Sequence, residues 1–75
     1  MLKFTKVESS SIDEVAYDSK KEILYVRFTN CRLYSYDKVP EDFFIALINA
    51  ESVGRLFATQ IKNRFDFTEL SEEPE

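Results

Sequence analysis

Ile23-Leu24-Tyr25-Val26-Arg27-Phe28, then Thr29-Asn30-Cys31, then Arg32-Leu33-Tyr34-Ser35-Tyr36 is the stretch on which the fold turns. The first six residues are β-branched, aromatic or aliphatic at five positions, the strongest strand signal in the chain. The connection is too short for a crossover, so the two runs must pair antiparallel. Its length sets the register. With a three-residue Thr29-Asn30-Cys31 loop, Val26 faces Tyr34 and Leu24 faces Tyr36, and both tyrosines join the apolar face. With a two-residue Asn30-Cys31 turn, Arg27 faces Tyr34 and Tyr25 faces Tyr36. The tyrosines then line the open face with Arg27, Arg32 and Lys38. One residue of slip moves every side chain across the sheet.

Elements follow on both sides. Ile12–Tyr17 alternates imperfectly, with apolar points at Ile12, Val15 and Tyr17, and reads as a strand ending in the polar turn Asp18–Glu22. Leu33–Val39 is the third strand, closed by Pro40, which suits a helix start. Glu41 and Asp42 are placed to favour a helix N-terminus, and Phe43, Phe44, Leu47 and Ile48 recur at helical spacing. Ser52 is a candidate N-cap. Val53, Leu56, Phe57, Gln60 and Ile61 form the stripe of a second helix ending near Phe65. The expected fold is α+β: a three-stranded antiparallel meander, with Leu2–Val7 a candidate extra strand. Two C-terminal helices pack on one face and leave the other in water. Phe28, Phe44, Leu47, Phe57 and Ile61 are the expected core.

The chain has 75 residues and a net charge of −4. Residues 66–75 carry five acids and no base, whereas residues 1–65 carry ten bases and nine acids. This divides the chain into a nearly neutral domain, 1–65, and an acidic tail, 66–75, expected to fray. There is one cysteine, Cys31, and no histidine, so no intrachain disulfide can form. No apolar run reaches the length of a membrane span, roughly 20 residues. An unpaired thiol with no export signal makes the cytoplasm the expected location.

The series Ser10-Ser11-Ile12, Tyr17-Asp18, Leu24-x-Val26-x-Phe28, Tyr34-x-Tyr36, Val39-Pro40, Ala50-x-Ser52-x-Gly54, Phe57 and Ile61-Lys62 resembles the KTSC domain over roughly residues 7–65. The Tyr-x-Tyr pair is the family's central mark. Three positions depart from its usual pattern: Cys31 and Ala16 stand where the family has Gly, and Ala58 where it has Asn. The resemblance implies the α+β fold. Because the family also forms the C-terminal extension of some lysyl-tRNA synthetases, it implies RNA as a candidate partner.

No residue pattern defines a reaction. Without His the commonest general base and metal ligand are missing. Arg32 alone is a poor activator for the Cys31 thiol. Ser10-Ser11 lies in no nucleophile elbow, and Gly54 forms no phosphate loop. No enzyme activity, cofactor, metal, membrane or small-molecule substrate is expected. The expected role is a binding module. One reading is single-stranded RNA on a Tyr34/Tyr36 platform with Arg27, Arg32 and Lys38, where bases stack and cations hold phosphates. The competing reading is a protein-interaction or self-associating domain.

Overall fold

In the computed structural model, which describes residues 2–71, a five-stranded antiparallel sheet runs in sequence order. Its strands are β1 Thr5–Lys6, β2 Ile12–Asp18, β3 Ile23–Phe28, β4 Leu33–Tyr36 and β5 Phe67–Leu70. Helices α1, Glu41–Ile48, and α2, Val53–Gln60, lie between β4 and β5. The meander is therefore longer than the three strands expected. Leu2–Val7 does supply the extra N-terminal strand. The segment read as a fraying tail supplies a fifth, pairing Tyr36 with Phe67 and Leu33 with Leu70. Residues 72–75 of that segment lie outside the described residues.

The β3–β4 hairpin takes the three-residue loop. Leu24 pairs with Tyr36 and Val26 with Tyr34. The Phe28 N–H donates to the Arg32 carbonyl and the Cys31 N–H to the Phe28 carbonyl, both at 2.9 Å. Cys31 has φ 72°, the left-handed position that closes such a loop. The Asn30 side chain reinforces it, its Oδ1 accepting from the Arg32 N–H at 3.0 Å. The turn thus keeps the conformation a Gly would favour, with a β-carbon forced into it.

The imperfect alternation of β2 has a physical cause. Its register with β3 shifts between Ile12 and Glu14, so Asp13 is a bulged residue. The bulge returns Ile12, Val15 and Tyr17 to one face. With Leu24, Val26, Tyr36, Val39, Leu47, Val53, Phe57 and Ile61 they form the main core under the helices. Of the expected core residues, Leu47, Phe57 and Ile61 are buried, while Phe28 and Phe44 pack half-buried at the margin.

The opposite face is not bare. Ala16, Tyr25 and Leu33 are buried there beneath Leu2, Phe4, Ile23 and Leu70. The expectation of a sheet with one face in water fails because the N-terminal segment and β5 both bring apolar residues across to this side.

The helices begin close to where the sequence places them. Pro40 is the N-cap of α1 rather than its first helical residue, with Glu41 and Asp42 in the first turn. Ser52 caps α2, its hydroxyl accepting from the Arg55 N–H at 3.3 Å. The second helix stops at Gln60, and residues 61–64 form a turn before β5. Val39 locks the sheet to α1. Its N–H donates to the Glu22 carbonyl at 2.9 Å, and its carbonyl accepts from the Tyr17 hydroxyl at 2.6 Å. No helix among the described residues is long and apolar enough to cross a membrane.

Candidate functional site: an aromatic groove between the sheet edge and the second helix

The hairpin register decides where the tyrosines go. Alternation from Leu24 and Val26 puts Tyr34 and Tyr36 on the helix-covered face. Tyr36 is only 4% exposed there. Its ring meets Phe57 edge-on at 5.4 Å between centroids. Tyr34 is half-buried, edge-on to Phe28 at 5.3 Å. Phe67, on β5, lies against both tyrosines, at 5.5 Å from Tyr34 and 5.7 Å from Tyr36. Phe67 is itself 57% exposed.

Apart from Phe57, these rings do not close against α2. Between them and the helix runs an open groove of about 550 Å³. Phe28, Tyr34, Tyr36, Phe57 and Phe67 supply its apolar wall. Ser11, Asn30, Lys62 and Asn63 supply polar groups, and Gly54 and Ala58 keep the helix side low. A β-carbon on Gly54 would lie 3.2 Å from the Ser9 hydroxyl and 3.3 Å from that of Ser11. The glycine is thus a close approach of α2 to the Ser9–Ser11 loop. That loop is fixed by the Ser9 hydroxyl, which accepts from the N–H groups of Ser11 and Ile12.

Burial acts on the ionisation of the groove tyrosines. Loss of solvent, and secondarily the neighbouring Tyr34, push the Tyr36 hydroxyl up to about 12. Tyr36 therefore enters any contact as a neutral phenol.

The cations expected beside the tyrosines are dispersed. Arg27 alternates to the far face. There it pairs with Glu14 at 2.9 Å and lies over the Phe4 ring at 5.5 Å. Lys38, at φ 58°, sits in the β4–α1 connection next to Val39 and is no part of the groove wall. Arg32 is on the tyrosine side of β4, with its guanidinium 3.5 Å from the Glu69 carboxylate, and Glu69 is the residue opposite Tyr34. The platform of two tyrosines ringed by Arg27, Arg32 and Lys38 is thus not assembled. Tyr34 and Tyr36 come together, Arg32 stands at their rim, and Arg27 and Lys38 lie elsewhere. Phe67 and Asn30 join them unforeseen, and Lys62 joins from the turn after α2.

Cys31 is exposed at the hairpin tip. Among the described residues, no group of three or more His, Cys, Asp or Glu is arranged to hold a metal.

The geometry defines a small α+β domain with an aromatic groove at one sheet edge. Its family follows from comparison with known proteins: residues 8–65 match the KTSC domain, and the chain belongs to that family. It is similar to a protein of Tsukamurella paurometabola, 44% identical over 59 residues, which covers 79% of this chain and 88% of that one. It is also similar to the lysine–tRNA ligase of Nostoc punctiforme, 38% identical over 66 residues. That match covers 88% of this chain but 12% of the ligase. Among solved structures, a KTSC domain protein from Yersinia pestis superposes with a TM-score of 0.90 at 30% identity, covering 93% of this chain and 99% of the other.

Proposed function

We propose that this domain is a non-catalytic binding module that takes an unpaired RNA base into the groove between β4, β5 and α2. The observation that carries the reading is the groove itself, lined by the half-buried Tyr34, the exposed Phe67 and Lys62. Every base has a π-face for which such rings are a stacking partner. A single lysine at the rim provides a phosphate contact. The likeness to a region of a lysine–tRNA ligase, a protein whose name ties it to RNA, agrees with this ligand class. The role imagined for the open sheet face passes to this groove. Arg27 and Lys38 have no part in it.

The test is fluorescence anisotropy of labelled single-stranded RNA at low salt. Phe67→Ala removes an exposed ring and should weaken binding by about 1–3 kcal/mol with the fold intact. Lys62→Gln should weaken binding less and flatten the salt dependence by about one phosphate contact. Absence of any RNA binding at low salt refutes the reading.

A protein-interaction role is favoured by a different surface. Ile45 and Ile48, one turn apart on α1, are 48% and 36% exposed. Sedimentation of the chain over a range of concentrations, with Ile45→Glu as control, tests whether that surface mediates self-association.

A further inference from the structure

The two edges of the sheet differ in kind. β1 is two residues long, carries Lys6 and follows Lys3. It is short and basic, as protected edges commonly are. β5 is four residues long, keeps an unbroken register with β4, and holds no Lys or Pro. Its ladder can be phased. The Asp37 N–H donates to the Asp66 carbonyl at 2.9 Å, which makes Asp37 and Asp66 a hydrogen-bonded pair. Such pairs alternate with non-bonded ones along an antiparallel ladder. Ser35–Thr68 and Leu33–Leu70 are therefore bonded pairs, and Tyr36–Phe67 and Tyr34–Glu69 are not. The other side of β4 agrees. There the Phe28 N–H donates to the Arg32 carbonyl, so Arg32, Tyr34 and Tyr36 turn their backbone groups to β3. The N–H and C=O of Phe67 and Glu69 consequently point away from β4. Among the described residues no strand lies beyond them. The Phe67 ring meanwhile lies against the tyrosines. Glu69 stands on the same face, opposite Tyr34, with its side chain 49% exposed.

We propose that the outer edge of β5 receives an extended, basic segment of a partner protein as an added antiparallel strand. The backbone groups of Phe67 and Glu69 supply the hydrogen bonds, the mode in which an exposed sheet edge takes up a peptide. Side chains set the pattern. A residue opposite Glu69 meets a carboxylate, and the residue two further on, opposite Phe67, meets an aromatic ring. The fitting sequence is therefore a lysine or arginine, any residue, then an apolar one. Charge chooses the occupant. Residues 66–75 carry five acids and no base, so pairing β5 with β5 of a second copy sets two acidic segments side by side and is repelled. The Arg32 guanidinium reaches Glu69 from the β4 side at 3.5 Å, but that pair is exposed at both members and so weak. The proposal is independent of the base-binding reading, which uses the Phe67 ring and not its backbone.

The probe is the acetylated, amidated heptapeptide Thr-Lys-Thr-Val-Thr-Lys-Thr, titrated into the isotope-labelled full chain at low salt and read by amide NMR. The Phe67 and Glu69 amide protons should move to higher frequency as they gain a bond. Those of Thr68 and Leu70, already bonded to β4, should move less. Methylating the lysine and valine amides of the peptide blocks the bonds to β5 and should weaken binding by at least about tenfold. Methylating its threonine amides, which point away from β5, should change it little. Glu69→Gln should weaken binding by about twofold to fivefold, the range of one exposed ion pair. Glu69→Pro removes the outward N–H as well, without touching a bond to β4, and should weaken it by a further factor of about three to ten. Absence of binding, shifts centred away from β5, equal binding of a peptide with glutamates in place of its lysines, or equal loss from the two methylated peptides overturns the proposal. So do shifts of the Phe67 and Glu69 amides that grow with chain concentration in the absence of peptide, because a second copy then occupies the edge. Should Glu69→Pro not fold, the methylated peptides decide the matter on the unaltered chain.

Discussion

Raising the pH from 9 to 12 should unfold this domain in a way that Tyr36→Phe suppresses. The Tyr36 hydroxyl is held at about 12 in the fold, against 10.0 for the free side chain, chiefly by burial. A folded-state pKa above the unfolded one means stability is complete below pH ~10 and is lost as the pH rises through 12. Two units correspond to about 3 kcal/mol in full, of which about 2 kcal/mol has gone at pH 12. That is a large share of the stability of a domain this small. The Tyr17 and Tyr25 hydroxyls are also raised, first by burial and then by nearby carboxylates. They therefore add loss in the same direction. The difference between the parent and Tyr36→Phe isolates the single group. Urea unfolding at a series of pH values should show the two proteins alike at pH 9 and the variant more stable by about 2 kcal/mol at pH 12. Parallel stability curves would refute the assignment of Tyr36 to the buried side of the sheet.

Cys31→Gly should stabilise the domain by about 1 kcal/mol, because φ 72° costs a β-carbon what it does not cost Gly. That gain should appear as a rise of roughly 4–8 °C in Tm. Tyr17→Phe removes the hydroxyl that donates to the Val39 carbonyl at 2.6 Å and should cost about 0.5–1.5 kcal/mol in urea unfolding. Deleting residues 66–75 takes away β5 and the Phe67 ring. It should cost on the order of 2–4 kcal/mol, through lost ladder bonds and apolar cover. A truncated chain with an unchanged unfolding midpoint would show that β5 contributes nothing to stability.

The central sheet and both helices were legible because each carries its own local signal. Examples are the run Ile23–Phe28, the Ser52 cap and the stripe through Val53, Phe57 and Ile61. β5 was not. Phe67 and Leu70 are three apart, which in a strand sends them to opposite faces, so no period-two alternation marks the segment as a strand. Five acids in ten residues outweighed them as a sign of a tail. The signal that could have found the strand was Phe67 itself, a large aromatic in an otherwise acidic segment, with no reason to sit in a frayed end. Ile12 and Val15 were found but not explained, since a bulge at Asp13 leaves no local mark. The second apolar cluster escaped for a similar reason: Leu2, Phe4 and Leu70 are distant in sequence and meet only across the far face.

The site was half legible for a reason that lies in the hairpin. Tyr34 and Tyr36 come together in one groove, but whether cations surround them depended on one residue of loop length. A two-residue turn would have put Arg27 beside Tyr34. The three-residue loop, with Cys31 accepting a left-handed backbone, places the tyrosines under α2 and turns Arg27 to the far side against Glu14. The same loop fixes the Asn30 oxygen on the Arg32 N–H. A flat basic platform would bind single strands through many phosphates and depend steeply on salt. A groove with one lysine and a rim of rings depends on stacking and edge contacts instead. The slope of affinity against salt concentration therefore separates the two geometries, with a slope near a single phosphate contact belonging to the groove and a slope of three or more belonging to the platform.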